Sequence, residues 1–384
     1  MTIPGRQVGP GLKIAIAGRG RRDGAVRVPR NSIGRTSSHR TKFALSCLNF
    51  ERPFRSQMAD AWCGLRRRTR SMKTFIRVVE LWVPDRTRIR LEFGGGLYGE
   101  GLTAFKAVSE DLHFGYDEGL PGKAWASGHP VILTRFADSY FKRTDQAIAA
   151  GLTCGVAVPV FSGEFLQAVM VLFCGDDEAH VGAIELWHND AEASHEMGLV
   201  DGYYGTADMF EFNSRHTRFP RGFGLPGRIW KAGLPLIIKD LHDARSFLRW
   251  EDAAKVGINL GVGVPYRTGT DQTWVLTFLS AQATPIARRF EIWVPDEARS
   301  ALVFRAGDCS AQTDLAALYA TKSIAKGEGS IGGAWATGMP ALNDDLARDG
   351  SVAALQASAS GLSQMVVLPV IGNARLDAVL AWYL

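Results

Sequence analysis

One pattern written three times constrains this chain more than any other feature. GLPGKAWASGHP at 119–130 recurs as GLPGRIWKAGLP at 224–235 and as GSIGGAWATGMP at 329–340, each step being 105 residues. A second marker keeps the same rhythm: ELWVPD (80–85), ELWHND (185–190) and EIWVPD (291–296). A third does so too, as GLTCGVAVPV (151–160), GINLGVGVPY (257–266) and GLSQMVVLPV (361–370). Three markers in one order at one period make the chain beyond Met72 a tandem of three units, read as 73–178, 179–286 and 287–384. That period is too long for a solenoid repeat, so each unit is expected to be a small domain with its own core.

Within a unit the elements follow from pattern. Arg77–Val83 is apolar and ends at Pro84-Asp85, and Thr87–Phe93 alternates, so the two read as a strand hairpin. GLPGKAWASG reads as a short helix: Pro121 suits its first turn, Gly128 the left-handed position after its end, and Pro130 prevents continuation. A strand is expected at Val131–Thr134, a short helix within 137–150, and two β-branched strands at Val156–Val160 and Ala168–Phe173. Each unit is therefore expected to be α+β, an antiparallel sheet of about five or six strands with short covering helices.

Charge divides the chain. The formal +5 is the sum of +13 in residues 1–71 and −8 beyond them. The mildly acidic body carries no basic stripe, which argues against nucleic acid as its partner. Three readings of the basic segment stay open: translation starting at Met72, an Arg-rich targeting segment or polyanion-binding tail, or a folded element. It is expected to add nothing to the fold, for want of periodic apolar surface. The longest apolar stretch, Leu166–Cys174, is far short of the roughly 18 residues of a membrane helix. Five cysteines with no CxxC spacing suit a reducing compartment, hence a cytoplasmic protein, and argue against a disulfide framework or a cysteine-rich zinc site.

The helix motif G-x-x-G-x-x-W-x-x-G-x-P followed by the glycine- and valine-rich strand resembles the GAF domain, a family of sensor modules in phytochromes, cyclic-nucleotide phosphodiesterases, histidine kinases and transcriptional activators. The resemblance covers 73–384 and implies a ligand pocket between the sheet and the helix-and-loop layer above it. Asp240-Leu241 and Asp345-Leu346 match the family's ending of the segment after the helix, whereas Arg135-Phe136 departs from it. The spacing between units leaves no room for the long terminal helices usual in the family.

Several residues invite a role. Trp125, Trp230 and Trp335 hold one equivalent position, where a ring either fills the space between helix and sheet or lines a pocket. The glycines flanking each of them are expected to allow close packing or positive φ. Gly94–Gly99 formally matches GxGxxG, but MGLVDGYYG and FRAGDCS in the other units do not keep the spacing, so a hairpin turn is expected. The resemblance puts His113 with Tyr116, and His242 with Trp250, where pocket residues often sit. The middle unit, with Trp230, Asp240, His242 and the aromatic cover Phe247–Trp250, is the expected ligand site. Cysteines are expected to be buried structural thiols. Where GAF enzymes that reduce free methionine sulfoxide carry a cysteine beside the helix glycine, this chain has Pro121, Pro226 and Ile331, and Cys154 is followed by Gly155 rather than by the histidine of bilin-binding domains. No catalytic residue, metal site or cofactor is identified.

The function expected is a non-catalytic sensory or small-molecule-binding protein, its ligand unnamed, signalling through association with another protein chain. Homo-oligomerisation is left open, and neither nucleic acid nor membrane is expected as a partner. The alternatives are a redox or small-metabolite enzyme using one GAF pocket, similar to free methionine sulfoxide reductase, and an empty interaction scaffold.

Overall fold

The computed structural model describes residues 74–384 apart from 176–180, 191, 242–246, 268–271, 282 and 312–313. The basic segment 1–71 lies outside them. In the first unit the chain runs β1 (Ile76–Pro84), β2 (Arg90–Tyr98), α1 (Thr103–Glu110), β3 (His113–Gly115), α2 (Gly119–Ser127), β4 (Val131–Leu133), α3 (Thr144–Ala149), β5 (Cys154–Ser162) and β6 (Phe165–Cys174). The second repeats this order as β7 (Gly182–Asn189), β8 (Glu196–Tyr203), α4 (Asp208–His216), β9 (Arg218–Pro220), α5 (Gly224–Ala232), β10 (Leu236–Ile238), α6 (Trp250–Lys255), β11 (Leu260–Arg267) and β12 (Thr273–Ser280). The third has β13 (Arg289–Pro295), β14 (Ala301–Cys309), α7 (Leu315–Tyr319), β15 (Ser323–Ala325), α8 (Gly329–Thr337), β16 (Ala341–Asn343), a 3₁₀ turn at Leu346–Arg348, α9 (Val352–Ala359), β17 (Met365–Gly372) and β18 (Arg375–Tyr383). Each unit makes one six-stranded antiparallel sheet; the first has the order β3-β2-β1-β6-β5-β4, and the other two share that topology.

The repeated helix is fixed by its glycines. Gly128, Gly233 and Gly338 end α2, α5 and α8 at φ of 73°, 64° and 71°, the left-handed conformation that favours glycine. Inside each helix, a Cβ at Gly122, Gly227 or Gly332 would fall well inside 3.0 Å of the carbonyl oxygen of Gly115, Pro220 or Ala325. Only glycine lets the helix lie that close to the strand before it. The reading of Gly94–Gly99 as a hairpin turn is corrected: Gly94, Gly95 and Gly96 lie within β2, where the pairing with β1 shifts register between Leu81 and Trp82. The turn is earlier, at 85–89, where the Asp85 carboxylate accepts the amide of Ile89.

Each unit has a core of its own between its sheet and its helices, centred on Trp82, Trp187 and Trp293, all at 0% exposure. The opposite sheet faces build a further core that all three units share. Val156, Val158, Met170 and Leu172 meet Val262, Val264, Leu276 and Phe278 from the second unit and Val366, Leu368, Leu380 and Trp382 from the third. Strands such as β6 and β12 are therefore buried on both faces and read as continuous apolar runs. That opposite sheet face of each unit is covered by the other two units.

Contacts between units run head to tail and close: β4 packs against β8, β10 against β14, and β16 against β2. The three belong to one unit extending to Leu384. Among the described residues, no helix is long and apolar enough to cross a membrane.

Candidate functional site

The residue under the helices of every unit is a glutamate. Glu80, Glu185 and Glu291 open the repeated E-[LI]-W marker and all have 0% exposure. A carboxylate that deep is tolerated only when paired and hydrogen-bonded. In the first unit Arg143, the residue before α3, grips Glu80 with both arms, Nη1 to Oε1 at 2.6 Å and Nη2 to Oε2 at 2.9 Å. Trp82 Nε1 donates to Oε2 at 3.0 Å and the Tyr98 hydroxyl to Oε1 at 2.9 Å, while Ser109 Oγ accepts from Arg143. Gly96 makes room for that tyrosine, since a Cβ there would lie 2.5 Å from its ring.

The second unit repeats the design. Arg249, before α6, grips Glu185, with Nη2 to Oε2 at 2.9 Å; Trp187, Tyr204 and Thr277 donate to the same carboxylate at 3.0, 3.1 and 3.1 Å. Burial, the largest single influence, pushes the Glu185 carboxyl up, but the Arg249 guanidinium together with the hydrogen bonds from Trp187 and Tyr204 outweighs it and holds the group below the usual carboxylate range.

The third unit reaches the same end by another route. Ser351 stands before α9, and the arginine is Arg289, two residues ahead of Glu291 on the same strand, with Nε to Oε1 at 2.7 Å. Val78 and Ala183 hold that strand position in the other units. The β14 residue matching Tyr98 and Tyr204 is Cys309, and the hydroxyls come instead from Tyr319 at 2.9 Å and Tyr383 at 2.8 Å. Ala353, Ala354 and Ala357 of α9 pack in the same core as those two rings.

Aromatic rings complete each cage. Arg143 sits 4.4 Å from the Phe105 centroid and 5.2 Å from Phe173; Arg249 sits 4.9 Å from Phe210 and 5.0 Å from Phe247. One N–H of each arginine (Nε of Arg143 and Arg249, Nη1 of Arg289) is buried with no hydrogen-bond acceptor. These guanidiniums lie over π faces, which attract a cation. Among the described residues, this ion pair and its rings occupy the core between sheet and helices in each unit.

The residues singled out from sequence do not gather into one site. Phe247 is buried at 1% exposure against Arg249, so its ring belongs to the inner core. Trp230 and Trp250 are half-buried at the edge of that core, Asp240 is exposed, and His242 lies outside the described residues. His113 and Tyr116 are exposed in the first unit, Tyr116 lying edge-on to Trp125 at 5.4 Å. Trp125, Trp230 and Trp335 are all half-buried, the last two beneath Arg221 and Lys326 at 5.7 Å. Among the described residues, the tryptophans at 0% exposure are those of the E-[LI]-W marker.

Cys154 and Cys174 are free, fully buried and directly opposite across β5 and β6, and burial pushes both thiols up. Among the described residues, no group of three or more His, Cys, Asp and Glu is placed to hold a metal ion. Open volume lies elsewhere. A groove of about 820 Å³ runs along the junction of the first and third units, and a cleft of about 400 Å³ beside Trp335 is lined by Arg299, Lys326 and Arg375.

Sheet order, the three glycine-fixed helices and the strands that follow them decide the fold. The three units are GAF-like. No family model matches the chain, and no curated protein does. Solved structures with partial likeness include a free methionine-R-sulfoxide reductase from Neisseria meningitidis in complex with its substrate, at 16% identity over 26% of this chain and 52% of that one, with a TM-score of 0.21. Another is the A. aeolicus nlh2 GAF domain in an inactive state, at 18% identity over 27% and 60%, with a TM-score of 0.22. A third is a Staphylococcus aureus NreA protein mutated in its nitrate-binding site, at 16% identity over 28% and 78%, with a TM-score of 0.23. This chain thus spans 52% and 60% of the first two.

Proposed function

We propose that this chain is a non-catalytic sensory protein that binds a small molecule and signals through association with another chain. The observation that carries the reading is the division of space. The interiors of the three GAF-like units are packed around buried Glu–Arg pairs, while a groove of about 820 Å³ lies between two of them. Ligand pockets of about 300–1,000 Å³ at domain junctions are a common arrangement. The redox alternative needs an accessible thiolate; the thiols of Cys154 and Cys174 are buried and pushed towards the protonated form, which leaves the half-buried Cys309 as the described thiol that reading would have to use.

The test is native mass spectrometry of the full chain as purified, followed by a thermal-shift screen of metabolites. A ligand present at a hundred times its Kd stabilises the folded state by about 2.7 kcal/mol, enough to read as a shift in melting midpoint. A chain that carries no bound mass and responds to no compound would sink the reading in favour of a scaffold.

A further inference from the structure

The three junctions are equivalent by repeat but not alike in chemistry. Between the first and second units Thr153 Oγ1 meets the Tyr203 hydroxyl at 2.8 Å. Between the second and third, Lys239 faces Asp308 at 3.7 Å. At the junction of third and first, the positions matching Tyr203 and Thr153 are Leu97 and Ser363, and no hydrogen bond joins them. Here the surfaces part into the groove of about 820 Å³. Its walls are formed by Ser363, Gln364 and Arg288, over a floor of Ile76, Val79 and Leu97 that belongs to the shared core, at 2%, 0% and 5% exposure.

Arg288 is the informative residue. It matches Arg77 in the first unit, whose Nη1 donates to the carbonyls of Ala150 and Gly151 at 2.8 and 3.4 Å. Arg288 is half-buried, lies beside the corresponding Ser360 and Gly361, and makes no side-chain hydrogen bond or ion pair among the described residues; its Nε is buried with no partner. An unsatisfied guanidinium on the wall of a groove is an anion receptor held in place, because Arg keeps its charge and presents donors in a fork that fits carboxylate, sulfonate or phosphate. The charged side chains that line the groove are Arg77, Arg288 and Glu100, and of the two arginines Arg288 alone makes no side-chain hydrogen bond among the described residues.

We infer that the groove between the first and third units binds a small organic anion, its acidic group on Arg288 and its body along the wall formed by Ser363 and Gln364. This rests on the small-molecule reading above and assigns its site. The probe is anilinonaphthalene sulfonate, titrated by fluorescence into the full chain, with neutral phenylnaphthylamine as the uncharged comparison. The sulfonate should saturate one site and bind at least about tenfold tighter than the neutral probe. Arg288→Met should weaken the sulfonate by about tenfold or more and leave the neutral probe within about twofold. Ser363→Trp, a change at an exposed wall position, should weaken both by filling the groove. The assignment is overturned if the full chain shows no saturable sulfonate site, if Arg288→Met leaves the affinity unchanged, or if the neutral probe binds as tightly. A metabolite that stabilises wild type and Arg288→Met equally overturns the groove but keeps the broader reading, whereas failure of every metabolite to bind sinks the broader reading itself.

Discussion

Removing the guanidinium that holds Glu185 should unsettle the whole body, and the size of the effect follows from the geometry. Arg249→Met leaves a carboxylate at 0% exposure with the neutral donors Trp187, Tyr204 and Thr277 but no counter-charge. Breaking a buried pair in this way costs about 3–5 kcal/mol, mostly the price of an uncompensated buried charge. At about 2 °C of melting midpoint per kcal/mol, the variant should melt roughly 6–10 °C below wild type at neutral pH. The pH dependence should then invert. In wild type the Glu185 pKa is depressed, so its contribution is present above the unfolded value of about 4.3 and is lost as pH falls through the folded one. In the variant, desolvation acts without the arginine and raises the folded pKa, so stability is lost as pH rises above about 4.3. The two chains should therefore converge towards acid. Adding Glu185→Gln should recover much of the loss at neutral pH, since it removes the charge rather than a partner. Urea unfolding of wild type, single and double variants at several pH values reads all of this. A single-variant loss below about 1 kcal/mol, or a double variant as unstable as the single, would refute the argument.

Other outcomes can be checked with less effort. Gly332→Ala should destabilise by about 1–3 kcal/mol because its Cβ meets the Ala325 carbonyl, whereas Gly333→Ala, one residue on in the same helix with nothing within 4 Å, should be neutral or stabilising by up to about 1 kcal/mol; circular-dichroism melts compare them. Trp187→Ala should cost about 3–5 kcal/mol, and Trp230→Ala, half-buried, clearly less; equal losses would mean the Trp230 ring is core. Peptides carrying Cys154 and Cys174 should stay unmodified by iodoacetamide in the native chain at neutral pH and react only after unfolding, as peptide mass spectrometry would record.

Local signals were the ones the sequence displayed best. The helix of GLPGKAWASG, its left-handed glycine and the paired strands are each set by residues within a few positions of one another, so pattern alone recovers them. The buried carboxylates were visible only as one letter of a recurring marker. Their meaning depends on arginines 63 and 64 residues away in two units and two residues away in the third, and no spacing rule joins those arrangements. The shared core left a trace in the doubly apolar β6 and β12, yet pattern cannot say whether helices or a neighbouring sheet will cover such a face. Arg288 was invisible for the opposite reason: it matters through a partner it lacks.

The head-to-tail closure has a mechanical consequence. Residues 175–181 and 281–288 leash two of the junctions, so those contacts re-form at the high effective concentration of a short tether. The third has no leash: it closes through β16 against β2 and β17 against β5 of the shared core, and spans its own groove. Opening there turns a closed triangle into an arc with one bare head and one bare tail, each exposing apolar surface. Two such arcs complement each other, and because the contact is heterologous, nothing but the leash lengths stops the association at two molecules. Crowded or heated chains should therefore pass through hexagonal rings or open fibres before they lose any secondary structure.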